Sequence, residues 1–189
     1  THNPKIHEYS EILLRQSDRL KRLTEDLVHA SKVTTGNVEV HLAPCDVGVL
    51  LTQAIGEYEE KMSAVDLKIV LKQPEFPVVI EADGRHMWRV FDNLLNNICK
   101  YAQEGTRVYL ILQKIENQVY ITFKNISKYE LNISEEELME RFVRGDKSRH
   151  SEGNGLGLSI AKSLVSVQGG NMRVAIDGDL FKVVLNFKG

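Results

Sequence analysis

Asn93, Asn97, Lys100 and Tyr101 lie in the run Asn93-Leu94-Leu95-Asn96-Asn97-Ile98-Cys99-Lys100-Tyr101-Ala102. Their spacing of i, i+4, i+7 and i+8 puts two amides, an ammonium and a phenol on one stripe of a helix. Such groups suit a divalent metal and phosphate. A core helix would carry Leu or Ile there, so the stripe faces either water or a ligand. Further on, Gly153-Asn154-Gly155-Leu156-Gly157-Leu158-Ser159 leads into the apolar helical run Ile160, Ala161, Leu164 and Val165. Glycines let backbone N–H groups turn toward an anion, and the following helix N-terminus adds partial positive charge. A plain helix start with flexible glycines is the competing reading.

Two common nucleotide motifs do not fit. A phosphate-binding Walker loop ends in Gly-Lys-Ser/Thr, whereas this stretch ends Gly-Leu-Ser. A dinucleotide fingerprint needs a strand just before its glycines, and here the polar segment Arg144-Gly145-Asp146-Lys147-Ser148-Arg149-His150-Ser151-Glu152 precedes them. That segment reads as a lid whose Arg144, Lys147 and Arg149 reach phosphates, or else as a solvated loop face.

The chain has 189 residues, 42% of them hydrophobic and 26% charged, which describes one medium domain plus a smaller element. A net charge of −2 makes no electrostatic case for nucleic acid. No run approaches the length of a membrane span, so no membrane contact is expected of this stretch. Two scattered cysteines, Cys45 and Cys99, give neither a disulfide framework nor a zinc site. A cytoplasmic location is expected, for a piece of something longer.

Several elements must position these groups. Ile6, Tyr9, Leu13, Gln16, Leu20, Leu23, Leu27 and Ala30 recur in alternating steps of three and four, a heptad seam that needs a partner helix. Asp46 can cap a helix running to about Ala64. Leu67, Ile69 and Leu71 alternate as a strand, and Val78-Val79-Ile80 follows Pro74 and Pro77 as another. Asp83-Gly84 opens the helix that carries the polar stripe. Val108 to Leu112 and Val119 to Phe123 form a hairpin across Glu116-Asn117-Gln118, and Met172 to Ile176 pairs with Phe181 to Phe187 across Asp177-Gly178-Asp179. Helices are expected at Glu135 to Phe142 and from Gly157 to Gln168. The fold class is therefore α+β, a two-layer sandwich with helices on one face of a mixed sheet.

Taken together the motifs resemble those of sensor histidine kinases: Asn93 to Ala102 their N box, Arg141-Phe142-Val143-Arg144-Gly145-Asp146 their F box, and Gly153 to Ser159 their G2 box. The resemblance implies the Bergerat ATP-binding fold shared with gyrase, mismatch-repair ATPases and the heat-shock chaperone. It also implies two domains: residues 1–36, the second helix of a dimerisation and phosphotransfer hairpin, and residues 37–189, the catalytic ATP-binding domain. By the resemblance Asn97 ligates Mg²⁺ with Asn93 supporting the metal, Lys100 faces the phosphates and Tyr101 the nucleoside. Gly153, Gly155 and Gly157 shape the lid end, with Leu158 packed nearby. The implied reaction moves the γ-phosphoryl group of ATP to a histidine and then to an aspartate on a response-regulator receiver domain. A homodimer through the helical hairpin is implied for the parent protein. Gyrase-like relatives have a water-activating Glu where this chain has Asn93. An amide is no general base, so transfer is favoured over hydrolysis.

Two departures stand out. The family's G1 box is Asp-x-Gly-x-Gly, and here Asn125, Ser127 and Tyr129 hold the Asp and Gly positions. Asn125 can accept the adenine N–H without charge assistance, which predicts weakened ATP binding. The family's phosphorylated His lies on the first hairpin helix. His7-Glu8 lacks the expected Pro and lies on the second, so the acceptor is expected upstream of Thr1. The rival expectations are a degenerate, non-catalytic nucleotide-binding interaction module and an anti-sigma type serine kinase, the latter disfavoured by the heptad helix.

Overall fold

The computed structural model describes residues 38–131 and 156–189, together with positions 9, 10, 12–14, 16, 17, 20, 21, 24 and 28 near the N-terminus. The chain divides into two compact units, Thr1–Val38 and Glu39–Gly189. In the first, every described residue from Tyr9 to Val28 is helical, and the seam members Tyr9, Leu13, Gln16 and Leu20 are all exposed.

In the second unit the described elements run β1 (Ala43–Asp46), α1 (Val47–Ser63), β2 (Lys68–Lys72), β3 (Val79–Ala82), α2 (Gly84–Tyr101), β4 (Arg107–Ile115), β5 (Gln118–Ile126), α3 (Gly157–Val167), β6 (Asn171–Asp177) and β7 (Leu180–Lys188). Five strands form a mixed sheet in the order β2-β4-β5-β7-β6. The β2–β4 pair is parallel and the other neighbours are antiparallel. This is the expected α+β sandwich.

The two hairpins form because alternation and turn chemistry agree. Val108, Leu110 and Leu112 of β4, Val119, Ile121 and Phe123 of β5, and Phe181, Val183, Leu185 and Phe187 of β7 all point into the core. Gln118 pairs with Ile115, so the first hairpin loop is only Glu116-Asn117, tighter than the expected three residues. Glu116 takes a left-handed φ of 53° there, and Gly178 does the same at 57° in the second turn. The helix expected over Glu135 to Phe142 lies outside the described residues.

β1 has no counterpart in the sequence reading. It pairs antiparallel with β3 as a two-stranded ribbon. Its four residues show no buried–exposed alternation, and Pro44 is tolerated because the strand lies at an edge. The strand ends in Asp46, whose carboxylate caps α1 by accepting from the Gly48 and Val49 N–H groups.

α2 is the central helix. Met87, Val90, Phe91, Leu94, Leu95 and Ile98 are buried at helical spacing, and Phe91 tilts against Phe123 of β5 with ring centroids 5.9 Å apart. Each such side chain contributes on the order of 1.5–3 kcal/mol by leaving water. Asp83 caps α2 by accepting from the Arg85 and His86 N–H groups. Its other oxygen accepts the His41 N–H at 3.0 Å and an Arg85 guanidinium N–H at 3.3 Å. Burial alone would raise the Asp83 pKa. The hydrogen bonds from the His41 backbone and from Arg85, with the nearby His86, outweigh it and hold the carboxyl well below the usual carboxylate range.

Because the folded pKa lies below the unfolded value of about 3.9, this carboxylate stabilises the fold fully above that pH. The contribution is lost as pH falls toward the folded value. Asp83→Ala is expected to lower the unfolding free energy by about 1 kcal/mol or more at neutral pH. The gap between wild type and Asp83→Asn in urea denaturation should narrow below about pH 4. A gap of constant size at neutral and acid pH would contradict the account.

Candidate functional site

The polar stripe occupies the side of α2 away from its core face, and Asn93, Asn97, Lys100 and Tyr101 are all half-buried. The Asn93 amide nitrogen donates to the Arg89 carbonyl one turn back at 2.9 Å. That bond leaves Asn93 Oδ1 as the presented atom. Opposite it lies Gly157, the first residue of α3, where an added Cβ would stand 3.2 Å from Asn93 Oδ1. The stripe and the last glycine of the glycine-rich stretch are thus in contact. Asn97 has no side-chain hydrogen bond to a described residue, which leaves its amide oxygen available. Leu158 is buried and anchors the first turn of α3 in the core.

A second contact fixes how the two helices align. Gln168, at the C-terminal end of α3, accepts the Asp83 N–H through its side-chain oxygen at 2.8 Å and donates its amide N–H to the Leu164 carbonyl at 2.7 Å. The two contact points are ten residue steps apart along α2, from 83 to 93, and eleven along α3, from 157 to 168. At 1.5 Å per residue these spans are about 15 Å and about 16.5 Å, so an antiparallel pair meets at both ends without strain. Behind α3, the next turn packs tightly: a Cβ on Gly170 would stand 2.5 Å from the Phe187 ring.

The C-terminal end of α2 is tied to the end of β5. Lys128 N–H donates to the Tyr101 carbonyl at 2.9 Å, and Gln103 N–H donates to the Ile126 carbonyl at 2.8 Å. Asn125 points inward and is 3% exposed, with its amide nitrogen 3.1 Å from the Ile126 carbonyl. In that orientation its Oδ1 is the remaining acceptor. Ser127 and Tyr129, where the resembling motif has glycines, close a small turn. The Tyr129 N–H donates to Ser127 Oγ at 3.2 Å, and the Ser127 hydroxyl donates to the Tyr129 carbonyl at 2.8 Å. The Tyr129 ring meets the Tyr101 ring edge-on at 6.5 Å.

On the other flank, the Tyr58 hydroxyl of α1 donates to the Asp92 carboxylate beside Asn93, and Lys61 lies over the Tyr58 ring. Burial raises the Cys99 thiol above its ordinary value, partly countered by the Lys61 and Lys100 charges. Burial also raises the Cys45 thiol, reinforced by Asp46 and Asp83. Both stay protonated and unreactive near neutral pH. Among the described residues no group of three or more His, Cys, Asp or Glu side chains could hold a metal. The available oxygen donors are neutral amides. They suit Mg²⁺ only when phosphate oxygens and water complete its shell.

Of the residues singled out from sequence, Asn93, Asn97, Lys100 and Tyr101 share one stripe, Gly157 meets it, Leu158 supports it from the core, and Asn125 lies at the β5 end. Arg144, Lys147, Arg149, Gly153 and Gly155 lie outside the described residues. Gln168 was missed. Its only signal is a polar residue closing an apolar helix before Gly169-Gly170.

Residues 82–188 match the family described as histidine kinase-, DNA gyrase B-, and HSP90-like ATPase. The probable sensor protein PcoS of Escherichia coli is 29% identical over 95% of this chain, which covers 40% of that relative. The sensor histidine kinase HprS of E. coli K12 is 31% identical over 88% of the chain, covering 36% of that relative. The chain thus spans about two fifths of the length of these curated relatives. Among solved structures, the histidine kinase AdeS of Acinetobacter baumannii superposes with a TM-score of 0.74 at 16% identity, covering 94% of this chain and 82% of that one. Full-length ShkA in complex with AMPPNP superposes at 0.78 with 21% identity, covering 99% of this chain and 39% of that one. These structural likenesses show the fold.

Gly157→Ala separates site geometry from stability. Alanine is the better helix former by up to about 1 kcal/mol, so the melting temperature should hold or rise. The new Cβ pushes Asn93 Oδ1 aside by a few tenths of an ångström. Mg–ATP affinity measured by calorimetry should fall severalfold, and unchanged affinity would show that the Asn93–Gly157 contact has no part in binding.

Proposed function

The chain belongs to the histidine kinase-, DNA gyrase B-, and HSP90-like ATPase family, and from that premise we propose that its second unit holds ATP for transfer of the γ-phosphoryl group to a histidine. The unit is the catalytic ATP-binding domain of a sensor histidine kinase. The observation that carries the transfer reading is Asn93, whose amide oxygen meets the first turn of α3 where water-activating relatives have a Glu.

In this reading Asn97 and Asn93 hold Mg²⁺ together with the phosphates, and the metal supplies charge neutralisation there. Lys100 faces the phosphates, Arg144, Lys147 and Arg149 reach them from the lid, and Gly153, Gly155 and Gly157 let the backbone approach. Asn125 Oδ1 accepts the adenine amino N–H, and Tyr101 lies against the nucleoside. The imidazole nitrogen of the acceptor forms a bond to the γ-phosphorus as the bond to the β–γ bridging oxygen breaks, and ADP departs. Positioning and charge do most of this work. With no carboxylate at position 93, water is not deprotonated and the phosphoryl group is kept for the histidine.

We further propose that residues 1–36 form the second helix of a dimerisation and phosphotransfer hairpin and residues 37–189 the catalytic domain, in a homodimer whose acceptor histidine lies on the first hairpin helix. The exposed Tyr9, Leu13 and Leu20 support a seam that a partner helix covers. A receiver domain then takes the phosphoryl group. A complex of the kinase ThkA with the response regulator TrrA, which superposes at a TM-score of 0.68 and 16% identity over 100% of this chain and 53% of that one, supports this partner class. The cytosolic face of a membrane is the proposed location. The alternative, a nucleotide-gated interaction module without chemistry, draws on the Ser127–Tyr129 turn that replaces the G1 glycines.

Calorimetry with Asn97→Ala should show loss of Mg²⁺-dependent ATP binding. Asn125→Asp restores a charged acceptor worth about 1 kcal/mol, so affinity should rise roughly fivefold. Unchanged or weaker binding by that variant would refute the adenine assignment. With γ-labelled ATP and an added phosphotransfer hairpin, label should appear on the hairpin. An inert hairpin with intact ATP binding would favour the interaction module.

A further inference from the structure

The sheet face turned away from the helices carries a segregated charge. Its outward strand positions include Lys68, Lys72, Arg107, Lys124, Arg173 and Lys182, against one acid, Asp177. The whole chain is net negative at −2, so positive charge is gathered on this side. Cross-strand register arranges it in rows. One row reads Val70, Tyr109, Lys124, Lys182, Ala175, and the next reads Lys72, Ile111, Thr122, Val184, Arg173. Neither row contains an acid. Lys124 and Lys182 are direct cross-strand partners, an arrangement that destabilises a sheet unless something neutralises it. The Lys124 ammonium lies 5.5 Å from the Tyr109 ring centroid, which orients it without cancelling its charge. In the second row, a strip of Ile111, Thr122 and Val184 is bracketed by cations at both ends.

We propose that this face is a docking surface for an acidic protein partner, one that sets carboxylates between Lys124 and Lys182 and beside Lys72 and Arg173 around a short apolar segment. Opposed side chains on neighbouring strands stand about 5 Å apart at Cβ, a spacing that lets one carboxylate bridge two ammonium groups. Five strands at about 4.8 Å, of five to nine residues at about 3.3 Å, give a face of roughly 600 Å², the size of a transient contact. Such a contact forms quickly, weakens with salt and releases readily. A lipid surface fits less well. Thr122 is buried and Ile111 and Val184 are half-buried, level with the sheet, so they form a flat strip with nothing projecting to insert among acyl chains.

The test uses the full 189-residue chain, isotopically labelled for NMR. The probes are a short peptide alternating Glu with Leu, the same peptide with Lys for Glu, and phosphatidylserine vesicles. The Glu peptide should shift the resonances of Ile111, Thr122, Lys124 and Val184, and the Lys peptide should not. The double variant Lys182→Glu/Arg173→Glu should weaken Glu-peptide binding at least roughly tenfold. Lys182→Glu replaces a like-charge pair by an opposite-charge one, so its melting temperature should hold or rise, and lost binding cannot be ascribed to unfolding. ATP affinity should not change in either variant. Absence of shifts on this face, equal binding by the double variant, or binding of vesicles with an inert Glu peptide would each overturn the proposal, the last by assigning the face to lipid.

Discussion

The alignment of α2 with α3 depends on one buried amide. Gln168 joins the capped start of α2 to the last turn of α3, and its carbonyl oxygen satisfies the Asp83 N–H. The amide N–H is held within α3 by the Leu164 carbonyl, so sliding either helix by a turn would strand the Gln168 side-chain oxygen and the Asp83 N–H. An unpaired buried group costs about 1–3 kcal/mol, so the register has a penalty on both sides. Gly157 meets Asn93 as the far-end result of that register. The site is therefore positioned from its opposite end, by residues that take no part in its chemistry.

Much of this was legible in the sequence because local and tertiary signals agree. α2 shows an apolar face from Met87 to Ile98 and a separate polar stripe. Asp83 precedes it as a cap, and the hairpin strands alternate cleanly. β1 was not legible, since a four-residue edge strand with a Pro carries no periodic signal and exists only through pairing with β3. Gln168 was not legible either, because a buried Gln and an exposed one look alike until its partner 85 residues away is placed. The parallel β2–β4 pair belongs to the same class. Nothing in Lys68–Lys72 names its partner, and only the fold brings it beside β4.

The described donors that face the site are neutral. Asn93, Asn97 and Asn125 offer amide oxygens, and at positions 93 and 125 the resembling motifs carry carboxylates. Amides do not titrate between acid and base, and the described part of the site holds no carboxylate except Asp92, which is engaged by Tyr58. In the proposed reading, charge on the ligand side is matched by Lys100, by metal and by backbone N–H groups. Such a site distinguishes its ligand by geometry more than by proton uptake.

The Ser127–Tyr129 turn has a consequence for binding entropy. Glycines at these positions would leave the backbone beside Asn125 free to sample many conformations, each of which must be abandoned when a base is seated. Here the hydroxyl of Ser127 holds both the N–H and the carbonyl of Tyr129, and the Tyr101 ring braces the outside. Little ordering remains to be done. In the proposed adenine site the wall is preorganised, which offsets part of the affinity that a neutral Asn125 forgoes and ties recognition to a rigid shape.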